Sequence, residues 1–97
     1  MNIMEFSNYL LSKGNKKKVV SDIVSRLKRI DNELILMGTS IDEQYSVDKC
    51  NVLIKSFSRK TSDFEKMLKG SSLPLDKPEI ANYKYSLNKY LGYLDLE

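Results

Sequence analysis

Histidine is absent from the 97 residues, cysteine occurs once and proline twice. Without imidazole, the Ser/His/Asp and Cys/His nucleophile arrangements and the zinc-protease motif are all excluded, and the commonest acid/base side chain near neutral pH is missing. A single cysteine, Cys50, permits no intrachain disulfide and no cysteine-based zinc site, which makes a reducing cytoplasm the natural home. Apolar runs stop at about four residues, as around Ile35 to Met37, against the roughly 18 needed to cross a bilayer. The N-terminus carries Glu5 and no long apolar segment of the secretory kind. There is no glycine-rich phosphate loop, internal repeat or low-complexity stretch. Binding is therefore a better first expectation than catalysis.

Hydrophobic residues make up 41% of the chain and charged residues 30%, with four glycines, a balance that favours one folded domain spanning 1–97, built around one core and needing no cofactor. The charge is unevenly placed. Between Lys13 and Arg29 stand seven cations, Lys13, Lys16, Lys17, Lys18, Arg26, Lys28 and Arg29, against the single acid Asp22, while the whole chain carries only +3. A local positive field on a rigid element suits a polyanion. Carboxylate pairs such as Asp42 and Glu43, or Asp31 and Glu33, are too close in sequence to face one another on a helix and read as surface charge. Asp31, near an apolar stripe, reads as a satisfied cap or a lysine partner.

The hydrophobic period is close to 3.6 throughout, so the chain reads as all-α. Asn2 and Glu5 form a capping pair for a first helix over about Ile3 to Lys13, with Phe6, Tyr9 and Leu10 inward and Gly14 as its left-handed stop. Asn15 is the expected N-cap of a long second helix to about Met37, ended by Gly38. Its stripe is Val20, Ile23, Val24, Leu27, Ile30 and Leu34, with Lys18, Asp22, Ser25 and Arg29 opposite. Lysines in its first turn oppose the macrodipole at a few tenths of a kcal/mol each, a cost that makes sense if the charge is used; the alternative reading of Lys16 to Lys18 is the solvated end of a helix.

Thr39 to Tyr45 reads as a connector, and Ser46 as the cap of a third helix to about Ser58 with Val47, Cys50, Leu53, Ile54 and Phe57 inward. Ser62 and Glu65 cap a short helix carrying Phe64, Met67 and Leu68, stopped by Gly70. A loop spans Ser71 to Lys77. Asp76 and Glu79 then cap a last helix with Pro78 in its first turn. This helix bears Ile80, Tyr83, Leu87, Tyr90, Leu91 and Leu94 on one face, expected to pack across the first two helices. Tyr83 and Tyr90 read as core with hydroxyls reaching solvent, and Tyr85 and Tyr93 as pointing away, where Lys84 and Lys89 offer further phosphate contacts.

The order of these elements resembles the N-terminal core-binding domain of tyrosine recombinases, the SAM-like domain of phage integrases. The resemblance runs through Phe6, Tyr9 and Leu10, then Val20, Ile23, Leu27 and Ile30, then Ile41 and Asp42, and finally the Tyr83, Leu87, Tyr90, Leu91 and Leu94 spacing. The segment from Arg59 to Lys77 is longer than in that family, and the second helix lacks a threonine-rich opening. The resemblance implies an orthogonal bundle of four to five helices that does no chemistry and forms half of a clamp around double-stranded DNA, with the recombinase catalytic residues in a separate segment. The expected DNA contacts are Lys16, Lys17, Lys18, Arg26, Lys28 and Arg29 on one outward ridge, joined by Lys84 and Lys89, with Arg26 or Arg29 as the base reader because a planar guanidinium can bond a guanine edge bidentately. The alternative is a helical protein-interaction module of a phage or mobile-element accessory protein, whose basic strip meets an acidic partner.

Overall fold

The computed structural model describes residues 1–57, 68, 71, 73, 74 and 77–96, and all of the regular structure among them is helical. Five helices are defined in this set: α1 (Ile3–Ser12), α2 (Lys17–Leu36), α3 (Ile41–Asp48), α4 (Asn51–Lys55) and α5 (Ile80–Leu94). Helix α2 lies at the centre of the fold, with α1, α3 and α5 packed against it.

Each junction has a local cause. The Asn2 carboxamide oxygen accepts the Glu5 backbone N–H at 3.1 Å, which caps α1, although the reciprocal Glu5 bond is not made. At the other end of α1, Gly14 takes φ +90°, its N–H reaches Leu11 O at 3.0 Å and the Asn15 N–H reaches Leu10 O at 3.2 Å. This is a Schellman stop, and only glycine adopts its left-handed residue without cost. Asn15 is used up here, since its side-chain amide also donates to Leu10 O at 2.9 Å. It closes α1 instead of capping α2, whose N-cap is Lys16 with no side-chain bond. The same stop recurs at Gly38, φ +86°, with Gly38 N–H on Ile35 O and Thr39 N–H on Leu34 O, both at 3.0 Å.

The expected connector over Thr39 to Tyr45 is mostly helix. Ser40 caps α3 by accepting the Glu43 N–H at 3.1 Å, and Asp31 accepts the Ile41 N–H at 2.9 Å, so the polar residue beside the α2 stripe is an inter-helix cap. The expected third helix through Ser46 is correspondingly broken. Lys49 and Cys50 both take positive φ, 56° and 62°, and the Asp48 carboxylate accepts the N–H groups of Asn51 and Val52, starting α4 afresh. The break resets the helical phase, which leaves Val47 74% exposed while Cys50, Leu53 and Phe57 are buried. The expected helix over Ser62 to Gly70 lies outside the described residues, except that Leu68 is helical and buried. Ser71, Leu73, Pro74 and Lys77 are non-helical, as the loop requires. Asp76 is outside the described set, and Glu79 provides no side-chain cap to α5. Pro78 instead precedes α5 in a tight turn, where its carbonyl accepts the Ala81 N–H at 3.2 Å.

One hydrophobic cluster joins Phe6 and Leu10 of α1, five residues of α2 from Val20 to Leu34, Ile41, Leu53, Phe57, Leu68 and Leu73 with Ile80, Tyr83, Leu87 and Tyr90 of α5. At about 1.5–3 kcal/mol for each fully buried large apolar side chain, the α2 stripe alone contributes on the order of 10 kcal/mol of gross burial. Ser56 and Ser86, both fully buried, bond the carbonyls of Val52 and Asn82 one turn back, so neither hydroxyl is left unsatisfied.

The left-handed pair at 49–50 stores strain that a glycine would release. Lys49 is exposed, so Lys49→Gly removes about 1–2 kcal/mol of left-handed penalty against about 0.5–1 kcal/mol of added chain entropy. The expected outcome is a net gain of roughly 0.5–1 kcal/mol in urea unfolding. A lowered midpoint would show that the Lys49 side chain contributes more than its backbone costs.

Candidate nucleic-acid interface

Helix α2 carries five of the eight expected contacts and Lys16 is its N-cap, and the helix geometry distributes them over more than one surface. At about 100° per residue, Lys17 and Lys28 fall at one edge of its solvent face, Arg26 at the other, and Lys18 and Arg29 between. The first pair lines a shallow groove against α1, about 320 Å³, floored by Leu11, Val20 and Val24 with Ser7, Ser21 and Ser25. Arg26 and Arg29 line a separate cleft toward α5, about 560 Å³, together with Leu73, Pro74, Lys77, Glu79, Asn82 and Tyr83. The single ridge expected from sequence is therefore two flanks joined across the exposed Lys18. Stripe width is the reason, because the α2 apolar face occupies less than half of the circumference and leaves the cations a wide arc.

Lys16, Lys17, Lys18 and Lys28 are exposed and Arg26 is half-buried. Among the described residues, no carboxylate lies within ion-pair distance of these five; the ion pair found there joins the Met1 ammonium to Asp42. No ion pair among the described residues neutralises them, although Asp22 stands one helical turn from both Lys18 and Arg26. Arg29 is differently placed. Its guanidinium donates to the Tyr83 hydroxyl at 2.7 Å and lies 5.6 Å from that ring's centroid. An arginine held by a tyrosine on the neighbouring helix is less able to turn into a groove and read a base, which leaves Arg26 the better placed of the two.

Lys84 and Lys89 do not form one surface. Five positions apart on α5, they project roughly 140° from one another, and the Lys89 ammonium sits 5.4 Å from the centre of the exposed Tyr85 ring. Tyr93 does not point away as expected. It packs against Phe6 at 5.3 Å and Tyr9 at 5.1 Å, in an aromatic group with Tyr90 that pins α5 to α1. The hydroxyls of the two core tyrosines are also engaged rather than simply solvated, Tyr83 by Arg29 and Tyr90 by Asp42 at 2.6 Å. Sequence reasoning missed Tyr83, Lys77 and Asn82 as neighbours of the arginines. The periodicity of α5 placed Tyr83 at the core edge, but nothing local signals a partner 54 positions away.

A third pocket is lined by carboxylates and tyrosines. Asp42, Glu5, Tyr45, Tyr90 and Tyr93 line a pocket of about 590 Å³, and Tyr45 donates to Asp95 at 2.7 Å. Partial burial pushes the Asp42 carboxyl up, but the Tyr90 hydroxyl and the Met1 ammonium 2.9 Å away outweigh it and leave Asp42 below the ordinary carboxylate value. Tyr90 is pushed the other way by burial and by the Asp42 carboxylate. Burial likewise pushes the Cys50 thiol up to about 12, and its sulfur donates to Ile41 O at 3.4 Å, so it is a packed, unreactive thiol. Among the described residues, no group of three or more acidic or cysteine side chains is arranged to hold a metal, and no helix is long and apolar enough to cross a membrane.

Comparison with known proteins found no match to any family, any curated protein or any solved structure.

The Asp42 arrangement makes acid stability testable. A carboxyl depressed in the fold stabilises it fully above the ordinary value of 3.8 and loses that contribution as pH falls through the folded value. Asp42→Asn is therefore expected to be less stable than the parent at about pH 6, with the gap narrower at about pH 3. Urea midpoints at the two pH values measure it, and a gap independent of pH would assign the loss to packing alone.

Proposed function

We propose that the chain is a non-catalytic, cytoplasmic DNA-binding domain that grips the phosphates of a duplex with the exposed face of α2. The observation that carries this reading is that Lys17, Lys18, Lys28 and Arg26 project from one rigid helix with Lys16 at its N-cap, and that none of the five is within ion-pair distance of a carboxylate among the described residues. A 20-residue helix is about 30 Å long, enough to follow a groove past several phosphates on each side. Contacts of this kind set register and orientation and leave sequence reading to few residues, of which Arg26 is the chief. Lys84 and Lys89 then act as outlying contacts, each on its own side of α5. The order of the helices supports placing the domain with the SAM-like, orthogonal-bundle half of a tyrosine-recombinase clamp, the chemistry residing in a catalytic segment that these 97 residues do not contain.

A second reading, a helical module that meets an acidic protein partner, is favoured by the groove between α1 and α2. Its floor of Leu11, Val20 and Val24 flanked by Lys17 and Lys28 suits an acidic amphipathic segment as well as a phosphate row.

Salt dependence separates the two. With roughly four to six phosphates neutralised, log affinity for a duplex falls against log salt with a slope of about −4 to −5. Reversing Lys17 and Lys18 to glutamate is expected to weaken binding and make that slope shallower by about 2. Unchanged affinity and slope in the double variant, measured by fluorescence anisotropy, would remove α2 from the interface.

A further inference from the structure

From the α2–α5 cleft we infer a second anion site, which shares Arg26 with the duplex face: a seat for a phosphomonoester, with room for the organic group that carries it. This goes beyond the duplex reading, because the cleft lies on the opposite flank of α2 from Lys17 and Lys28. Three cations, Arg26, Arg29 and Lys77, line it against one described carboxylate, Glu79. That excess suits a dianion better than the single charge of a backbone diester, a phosphomonoester carrying about −1.5 to −2 near neutral pH.

Preorganisation supports the assignment. The Tyr83 hydroxyl, 2.7 Å from the Arg29 guanidinium, and the ring beneath it hold that fork in the cleft before any ligand arrives. Less side-chain freedom then has to be lost on binding. Leu73 and Pro74 give the cleft an apolar wall, and a volume of about 560 Å³ accommodates a nucleoside-sized body beside the phosphate. A bare polyanion track would need no such wall.

The test is a titration of the isotope-labelled chain with adenosine 5′-monophosphate, followed by amide NMR, with adenosine and inorganic phosphate as controls. The mononucleotide is expected to shift amides near Arg26, Arg29 and the start of α5. Inorganic phosphate should shift the same set more weakly, and adenosine should leave it unmoved. Arg26→Gln should weaken the mononucleotide about tenfold, the loss of a charge-assisted bond. Tyr83→Phe, which keeps the ring in the core, should weaken it several-fold by removing the hydroxyl that helps to orient Arg29. Reversal of Lys17 and Lys18 should leave it unchanged, so failure of this site and failure of the duplex reading are distinguishable. Because the chain has no histidine, a rise in affinity across about pH 6 reports the second ionisation of the ligand phosphate. A duplex with a 5′-phosphate bound more tightly than one without assigns the source to a nucleic-acid end, and a mononucleotide response without that preference assigns it to a free nucleotide. No cleft shifts at up to about 10 mM mononucleotide, or shifts indifferent to Arg26→Gln, would overturn the site.

Discussion

The structure depends on hiding one stripe of α2. Val20, Ile23, Leu27, Ile30 and Leu34 recur at three- and four-residue steps along 20 residues, and no single helix can cover so long a stripe from one side. Helices α1, α3 and α5 each take part of it. Glycine stops at Gly14 and Gly38 turn the chain back at both ends of α2, so its neighbours in sequence also become its neighbours in space. The polar side of the same helix is left outward as a consequence, and that side holds most of the chain's concentrated positive charge.

Polar groups then complete what burial begins. Asp31 ties the start of α3 to α2, Tyr90 and Asp42 tie α5 to α3, and Arg29 and Tyr83 tie α2 to α5. Each bond joins residues on different helices, so these bonds constrain helix placement more than helix formation. The Phe6, Tyr9, Tyr90 and Tyr93 rings do the same for α1 and α5 with close ring contacts. Cations concentrate on α2 and its N-terminal approach, and Asp42 and Glu5 meet in a pocket away from it.

Much of this was legible residue by residue. The all-helical class, the α2 core positions, both glycine stops and the Asn2 cap follow from periodicity and from the backbone freedom of glycine. The connector after Gly38 was misread because Ser40 and Glu43, a capping pair three residues apart, precede a helix of only eight residues, too short for a periodic stripe to show. The third helix was read through Lys49 and Cys50 because neither residue type signals a left-handed turn, and the Asp48 carboxylate that restarts the chain at Asn51 is legible only once the break is known. Glu79 fits a cap by residue type alone, yet its backbone is already helical at φ −59° and ψ −19°, whereas a capping side chain needs an extended N-cap residue.

For the candidate site the division is sharper. A fixed helical pitch converts spacing into direction, so residue order alone puts cations on the outward side of one helix. Their parting into a lysine flank beside α1 and an arginine cleft beside α5, and the contact of Arg29 with Tyr83, arise from helix packing. The physical reason is range: helix periodicity is set by hydrogen bonds four residues apart, whereas the cleft exists only where α5 packs back on α2, a contact chosen by the shape of the shared core.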